Sequence, residues 1–358
     1  LAKRILVAMS GGVDSAVTAC LLARAGYEVV GVTLQLADLS GEGLGVSRCC
    51  SPADVLVARA VCDRIGIPHH VLEMGQAFQK AVIEPFVDSY LAGETPLPCA
   101  ACNAKIKFGE LLDLAGEFGA EALATGHYAR IGREGDTFVL RRGRDRGKDQ
   151  SYFLFALRPA QLERVRLPLG ELTKREVRAV AAELALPNAA KPESQDVCFL
   201  PEDGSYVQVL EKMAPERLPG AGDLVDSGGH VLGRHGGYYR FTVGQRRGLG
   251  VAGQRRLYVL SVGPADNRVV VGGRSEAFKS RLTLRDVNWL APRSDAAVEA
   301  EVQVRSRNQP ARATVRLGEN GSAEVEFAEP VLSPAPGQAA VCYDGDRLLG
   351  GGWITSTA

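Results

Sequence analysis

The sequence predicts an α/β protein: an N-terminal doubly wound parallel sheet, followed by a small mixed domain and a C-terminal all-β barrel. Three observations predict it. Strand and helix patterns alternate through the first part, a Gly- and Pro-rich texture begins after Pro201, and period-two apolar runs dominate from about Arg281. At 358 residues the chain exceeds one ordinary core, so two or three domains are expected. The changes of texture place boundaries near Phe199 and Gly273, giving segments 1–199, 200–272 and 273–358.

In chain order, Ile5 to Met9 reads as a buried strand and Asp14 to Arg24 as a helix with Val17, Cys20 and Leu21 on one face. Gly26 ends that helix and Glu28 to Leu34 forms the next strand. Pro52 opens a helix to Ile65, closed by Gly66, and His70 to Leu72 is a third strand. A helix over Ala104 to Phe118 precedes a short strand at Ala122 to Thr125, and Thr173 with Glu176 forms a capping box for a helix to Leu184. Repeated strand–helix–strand units require a parallel sheet covered by helices on both faces. Farther on, Val298 to Val304, Ala313 to Leu317 and Ala323 to Phe327 alternate apolar and polar residues, and with the apolar run Ala339 to Tyr343 they have the all-β texture of a small barrel.

Charge gives little away overall, since Lys plus Arg and Asp plus Glu both total 42. A polyanionic partner would have to meet positive charge gathered locally. Two stretches gather it: Arg130, Arg133, Arg141, Arg142, Arg144, Arg146 and Lys148 with Arg158 just beyond, and then Arg246, Arg247, Arg255 and Arg256. Solvated faces are the plain reading of both. No run approaches the roughly 18–20 apolar residues of a membrane span, and Arg4 to Met9 lacks the longer apolar run of a signal peptide. The expectation is a cytoplasmic protein with no membrane partner, its eight cysteines reduced unless they do chemistry.

Between the first strand and first helix lies Ser10-Gly11-Gly12-Val13-Asp14-Ser15. Glycines let the backbone turn its N–H groups inward, the helix N-terminus adds positive potential, and Asp14 can hold a divalent cation such as Mg2+ against phosphates. The Gly-Lys-Ser/Thr end of a Walker A loop is missing. The loop resembles that of the ATP-pyrophosphatase family, whose members cleave ATP to AMP and pyrophosphate while adenylating a substrate. The resemblance leaves the acceptor open.

Cysteines address the acceptor. Asn103 is an expected N-cap for the helix beginning near Ala104, which places Cys102 at its positive end with Lys105 and Lys107 close by. Such surroundings favour a thiolate. Cys198 lies in a second loop, Glu193 to Leu200, 96 residues later. Cys99 with Cys102 could form half of a structural zinc site, but a closed site needs four ligands and the other pair, Cys49-Cys50, has no spacing. His69, His70, His230 and His235 show no metal-ligand spacing either.

Further segments run in order through the chain: Ala124-Thr125-Gly126-His127-Tyr128, Lys148-Asp149-Gln150-Ser151-Tyr152-Phe153-Leu154, Thr242 to Gly250, Pro336-Gly337-Gln338 and Leu349 to Gly352. With the loop and the cysteines, this ordered set resembles the tRNA-specific 2-thiouridylase family over essentially the whole chain. The resemblance implies an adenine-nucleotide hydrolase-like sheet and thiolation of the wobble uridine of tRNAs for lysine, glutamate and glutamine. ATP would adenylate the uracil O2, and a cysteine persulfide, charged by a sulfur carrier protein, would deliver sulfur to C2. By position, Cys102 matches the nucleophile and Cys198 the persulfide carrier. Ala8, Met9, Ser10, Gly11, Gly12, Val13, Asp14, Ser15, Leu34 and Gly126 match nucleotide contacts. Leu97, Pro98, Cys99, Lys148, Asp149 and Gln150 match segments near the target base, and His127, Arg305, Ser306 and Gln338 match further tRNA contacts.

The family often has Asn-Pro-Asp where this chain has Leu97-Pro98-Cys99, and Met where it has Leu34. The extra thiol opens an alternative, in which Cys99, Cys102 and Cys198 hold an iron–sulfur cluster with one open iron for sulfide. Two other function classes stand beside thiolation: an ATP-dependent amide-forming synthetase, and a non-catalytic tRNA-binding module built on the β-rich C-terminal part.

Overall fold

Apolar runs buried on both faces become the central strands β1 (Arg4–Ala8), β2 (Glu28–Gln35) and β4 (Ala122–Ala124), and the more polar β3 (His69–Glu73) and β7 (Val165–Arg166) form the edges, in the order β3-β2-β1-β4-β7. Every pairing is parallel. The computed structural model describes residues 2–36, 51–193, 197–201, 205–251, 256–294 and 296–358. Cys49, Cys50, Ser194, Gln195, Asp196 and Arg255 lie outside the described residues. The chain divides into two units, the first holding Leu1–Ile83, Pro98–Ser205 and Asp346–Leu348, and the second Glu84–Leu97, Tyr206–Gly345 and Leu349–Ala358.

In the first unit, helices α1 (Val13–Arg24), α2 (Pro52–Ile65) and α3 (Lys174–Glu183) cover the sheet. Ile5, Val7, Ala16, Val17, Ala58, Val61, Ala122, Ala124, Val177 and Ala181 interlock in one core. Pro52 at the first turn and Gly66 in the left-handed region bound α2, as their backbone preferences require. The capping box of α3 forms as expected, Thr173 accepting from the Glu176 N–H while the Glu176 carboxylate accepts from the Thr173 N–H at 2.6 Å. Thr173→Ala should therefore lower stability by about 1 kcal/mol, measured as a fall in urea midpoint. An unchanged midpoint would show that the cap does not hold this helix. A hairpin of β5 (Ala129–Glu134) and β6 (Thr137–Arg142) completes the unit, and Arg347 pairs with Arg141 at its edge.

One helix departs from expectation. The chain is already helical at Pro98–Ala101 and runs on through Cys102–Glu110 to Leu111–Leu114, the middle stretch being wide, with i→i+5 geometry. Ala101 has helical backbone angles (φ −61°, ψ −45°), so Asn103 is not an N-cap and Cys102 sits inside a helix. The Asn103 amide instead donates to the Phe153 carbonyl at 3.1 Å and accepts from Lys107 at 3.1 Å.

In the second unit, β8 (Gly222–Val225), β9 (Val231–His235), β10 (Tyr258–Gly263) and β11 (Arg268–Gly272) make a four-stranded sheet in the order β10-β11-β8-β9. After it, β12 (Phe278–Trp289), β13 (Val298–Gln303), β14 (Ala311–Leu317), β15 (Ala323–Leu332), β16 (Ala339–Asp344) and β17 (Arg347–Thr357) close into a barrel through the β12–β17 pairing. Its interior is lined by Val302, Val315, Val325, Phe327, Cys342 and Ile354; β14 and the first half of β15 alternate buried with less buried residues, whereas β16 is buried on both faces.

Candidate functional site

With strand order 3-2-1-4-7, successive connections diverge between β1 and β4, and open parallel sheets bind ligands outside the carboxyl ends of strands at such a point. The Ser10–Ser15 loop leaves β1 there and Gly126 follows β4. A cavity of about 210 Å³ opens at this place, with Ala8, Met9, Ser10, Asp14 and Ser15 on one side and Thr125, Gly126, His127 and Gln150 on the other. Val32, Leu34 and Leu36 supply an apolar wall and Lys107 a cation.

The loop is held by its own side chains. Ser15 Oγ donates to the Gly12 carbonyl at 3.0 Å and accepts from the Ser10 N–H at 3.2 Å. Gly11 has φ +69°, and a Cβ on it would lie 2.5 Å from the Asp54 carbonyl, so no other residue fits. Gly126 is equally confined: a Cβ there would stand 2.9 Å from the Asp14 backbone carbon and 3.0 Å from the Ser15 nitrogen. Of the nucleotide residues expected from sequence, Gly11, Gly12 and Val13 shape the loop without lining the cavity, and the other seven line it.

Asp14 meets two partners that sequence reasoning missed. Lys174, at the start of α3, places its ammonium 2.7 and 2.9 Å from the carboxylate oxygens, and the Tyr128 hydroxyl donates at 2.7 Å. Lys174 also contacts Glu193 at 2.6 Å, and Glu193 takes Lys148 at 2.5 Å on its other oxygen. Burial works against ionisation of Glu193, but the hydrogen bonds and charges of the two lysines prevail and hold its carboxyl below its ordinary value. Burial and the adjacent Asp14 push the Tyr128 phenol up, keeping it a donor. Asn188 and Lys191 fasten the same segment to the loop by donating to the Gly11 carbonyl at 3.1 and 3.3 Å, and Lys191 also pairs with Asp54.

His127 is buried, and burial, then Lys107, drives its imidazole well below its usual value, so the ring is neutral. Its Nδ1 lies 2.7 Å from the Thr125 hydroxyl.

Cys102 is 7% exposed, Cys198 half-buried at a turn, and Cys99 exposed on the outer face of its helical turn. Phe199, next to Cys198, packs edge-on against Phe78 at 5.9 Å, and the turn Gly75–Phe78 packs on the stretch Cys102–Glu110. The two thiol-bearing segments thus meet the same helical turn. No group of three or more His, Cys, Asp or Glu side chains able to hold a metal ion occurs among the described residues, so Cys99, Cys102 and Cys198 do not form one. Burial raises the Cys20 thiol and pushes Cys62 and Cys342 to about 12. Iodoacetamide near pH 8 should therefore modify Cys99 well ahead of Cys62 and Cys342, read by peptide mapping; equal rates would contradict this burial.

The expected RNA contacts divide. Asp149 faces inward, accepting from the Gly143 and Ser151 N–H groups at 2.9 and 3.1 Å and pairing with Arg142 at 3.2 Å. Gln150 accepts from the Tyr128 N–H at 3.0 Å. Pro98 is buried and Leu97 half-buried. In the second unit, Gln338 donates to the Thr95 and Pro96 carbonyls at 3.0 and 3.1 Å, fixing the chain just ahead of Leu97. Arg305 donates to the Val243 and Ser333 carbonyls at 2.8 Å, with Ser306 exposed beside it.

The first basic stretch is paired throughout. Arg130 and Arg146 meet Asp346, Arg133 meets Asp136, Arg141 meets Glu134, Arg142 meets Asp149, Arg144 meets Glu176 and Lys148 meets Glu193. Arg158 is exposed. In the second stretch Arg246, Arg247 and Arg256 are exposed, and no ion pair to a carboxylate is found for them among the described residues.

A phosphate-type loop and a cavity at the switch point of a parallel sheet define a nucleotide-binding α/β protein. Residues 3–202 match the family model "tRNA methyl transferase HUP domain", 208–273 the "tRNA methyl transferase PRC-barrel domain" and 279–354 the "Aminomethyltransferase beta-barrel domain". Relatives named tRNA-specific 2-thiouridylase MnmA are similar over nearly full length. That of Rhodospirillum centenum is 51% identical over 98% of this chain and 91% of its own. The Geobacter metallireducens relative is 50% identical (98% and 96%), and the Acidithiobacillus ferrooxidans relative 48% identical (99% and 99%). The chain belongs to the tRNA-specific 2-thiouridylase MnmA family. No helix among the described residues is long and apolar enough to cross a membrane.

Proposed function

We propose that this chain is a cytoplasmic tRNA-uridine 2-sulfurtransferase that activates the wobble uridine of lysine, glutamate and glutamine tRNAs with ATP. The observation that carries the reading is a nucleotide cavity at the sheet's switch point in the same unit as two cysteine segments meeting one helical turn. Ala8 to Ser15, Leu34 and Gly126 cradle ATP. Uracil O2 attacks the α-phosphorus, pyrophosphate leaves, and C2 carries AMP as a leaving group. A sulfur carrier protein charges Cys198 as a persulfide. The terminal persulfide sulfur attacks C2 and AMP departs; the Cys102 thiolate then takes the Cys198 sulfur, releasing C2=S and leaving a Cys102–Cys198 disulfide. Cys102 and Cys198 are the catalytic pair.

Mg2+ fits the Asp14 carboxylate as a shared ligand with substrate phosphates, since this ion is commonly held by one or two carboxylates plus phosphate oxygens. When bound, it neutralises phosphate charge. Asp14 would hold it, the Tyr128 hydroxyl fixes the Asp14 carboxylate by donating to it, and the apolar wall of Val32, Leu34 and Leu36 excludes water from the base. The two-thiol route needs no third cysteine, and Cys99, Cys102 and Cys198 do not gather as a three-ligand group among the described residues, which supports it over the cluster alternative.

On this reading, residues 1–199 form the catalytic domain, 200–272 a central tRNA-binding domain and 273–358 the barrel. Leu97 to Cys99 and Lys148 to Gln150 are the segments near the target base, and His127, Arg305, Ser306 and Gln338 are further tRNA contacts. The deciding assay supplies ATP, tRNA and a persulfide donor. AMP and 2-thiouridine should appear in equal amounts and only with tRNA. ATP turnover with ammonia or glutamine and no RNA would replace this reading with an amide-forming synthetase.

The exposed arginines give a separate expectation. Replacing Arg246 and Arg247 by Ala should flatten the fall of log tRNA affinity with log salt by up to about 2 units of slope, measured by filter binding from low to moderate salt. An unchanged slope would return this stretch to a solvated face.

A further inference from the structure

Four charged groups alternate in a row from the nucleotide cavity to Lys148. Asp14 holds Lys174, Lys174 is shared with Glu193, and Glu193 holds Lys148 through its second oxygen. Its two lysines differ in access: the Lys174 side chain is 12% exposed and that of Lys148 36%. An RNA phosphate can capture Lys148 but has no comparable path to Lys174. We infer that Glu193 is a positioning residue that couples RNA contact at Lys148 to the state of Asp14 in the nucleotide site. This rests on the tRNA-thiolating reading above.

With Lys148 in place, Glu193 divides its charge between two lysines, and Lys174 stays seated on Asp14. When RNA takes Lys148, Glu193 keeps Lys174 as its one cationic partner in the row. The stronger pull draws the ammonium off Asp14, and the carboxylate becomes available to magnesium-bound nucleotide. Nucleotide bound at Asp14 in turn commits Lys174 to Glu193 and releases Lys148 to RNA, as linkage demands. The exchange involves discrete partners, which is the two-state element that coupling needs.

The test is equilibrium binding of magnesium α,β-methylene-ATP, which cannot release pyrophosphate, to the full chain with and without substrate tRNA. In wild type, tRNA should tighten nucleotide binding by about fivefold or more. Glu193→Gln should leave it at the RNA-free level even with tRNA present, and Glu193→Asp should restore part of the effect. Lys148→Met should act in the opposite direction, tightening nucleotide binding without RNA towards the wild-type value with RNA. A loosened structure would weaken binding in both variants. Coupling preserved in Glu193→Gln, no tightening in Lys148→Met, or a wild type that thiolates without coupling would each overturn the inference. A wild type that neither binds nor thiolates tRNA would sink the underlying reading and the inference with it.

Discussion

Cys102→Ser and Cys198→Ser should each lower 2-thiouridine formation by at least about 10³-fold, and the double variant should be no worse than either alone, because residues that act as one unit are not additive. A serine hydroxyl does not hold a persulfide sulfur, and its oxygen is a far weaker nucleophile than a thiolate at neutral pH. AMP formation should survive better than thiolation in both, since neither thiol lines the nucleotide cavity. Mass spectrometry of digested tRNA, with AMP followed in parallel, reads the two steps apart. Either variant thiolating at the wild-type rate with a persulfide donor would remove the cysteine assignment.

Asp14→Asn should cut pyrophosphate release by roughly 10²–10³-fold, the range seen when one electrostatic element of an active site is neutralised. It should also lower stability, because Lys174 is 12% exposed and loses the carboxylate on which it is seated. Removing one partner of such a part-buried pair costs about 1–3 kcal/mol, moderated here because Glu193 remains. Pyrophosphate release and the urea midpoint should fall together. A normal rate in a destabilised protein would assign Asp14 to structure alone.

Local signals were legible and distant pairings were not. The alternation of strand and helix, the Pro52 and Gly66 limits, the Thr173–Glu176 box and the loop at Ser10–Ser15 all act within a few residues, so pattern alone places them. The helix entry at Pro98 was misread because Asn103 has the side chain of a cap while Pro98, a favoured first-turn residue, sits in a Pro-rich run that reads as loop. Lys174 was passed over because its helix already had a structural explanation. The first basic stretch gathers positive charge in the sequence, and part of its neutralisation is not visible there because Asp346, Glu176 and Glu193 are far away in sequence and meet it only in the fold. Asp149, matched by resemblance to a segment near the target base, also organises its own loop, which its local sequence does not reveal. Lys174 had a signal that could have found it: a glycine loop without a lysine needs a cation from elsewhere.

The burial of Cys20, Cys62 and Cys342 also bears on fidelity of the cargo. Sulfane sulfur passes readily between thiolates, and a protein handling it risks losing the atom to bystanders. With thiols pushed up to about 12 by burial, Cys62 and Cys342 stay protonated at neutral pH. On the persulfide reading, the interior cysteines are thereby silent towards a migrating sulfur, and the chain can keep several thiols in its cores without offering the cargo a false destination.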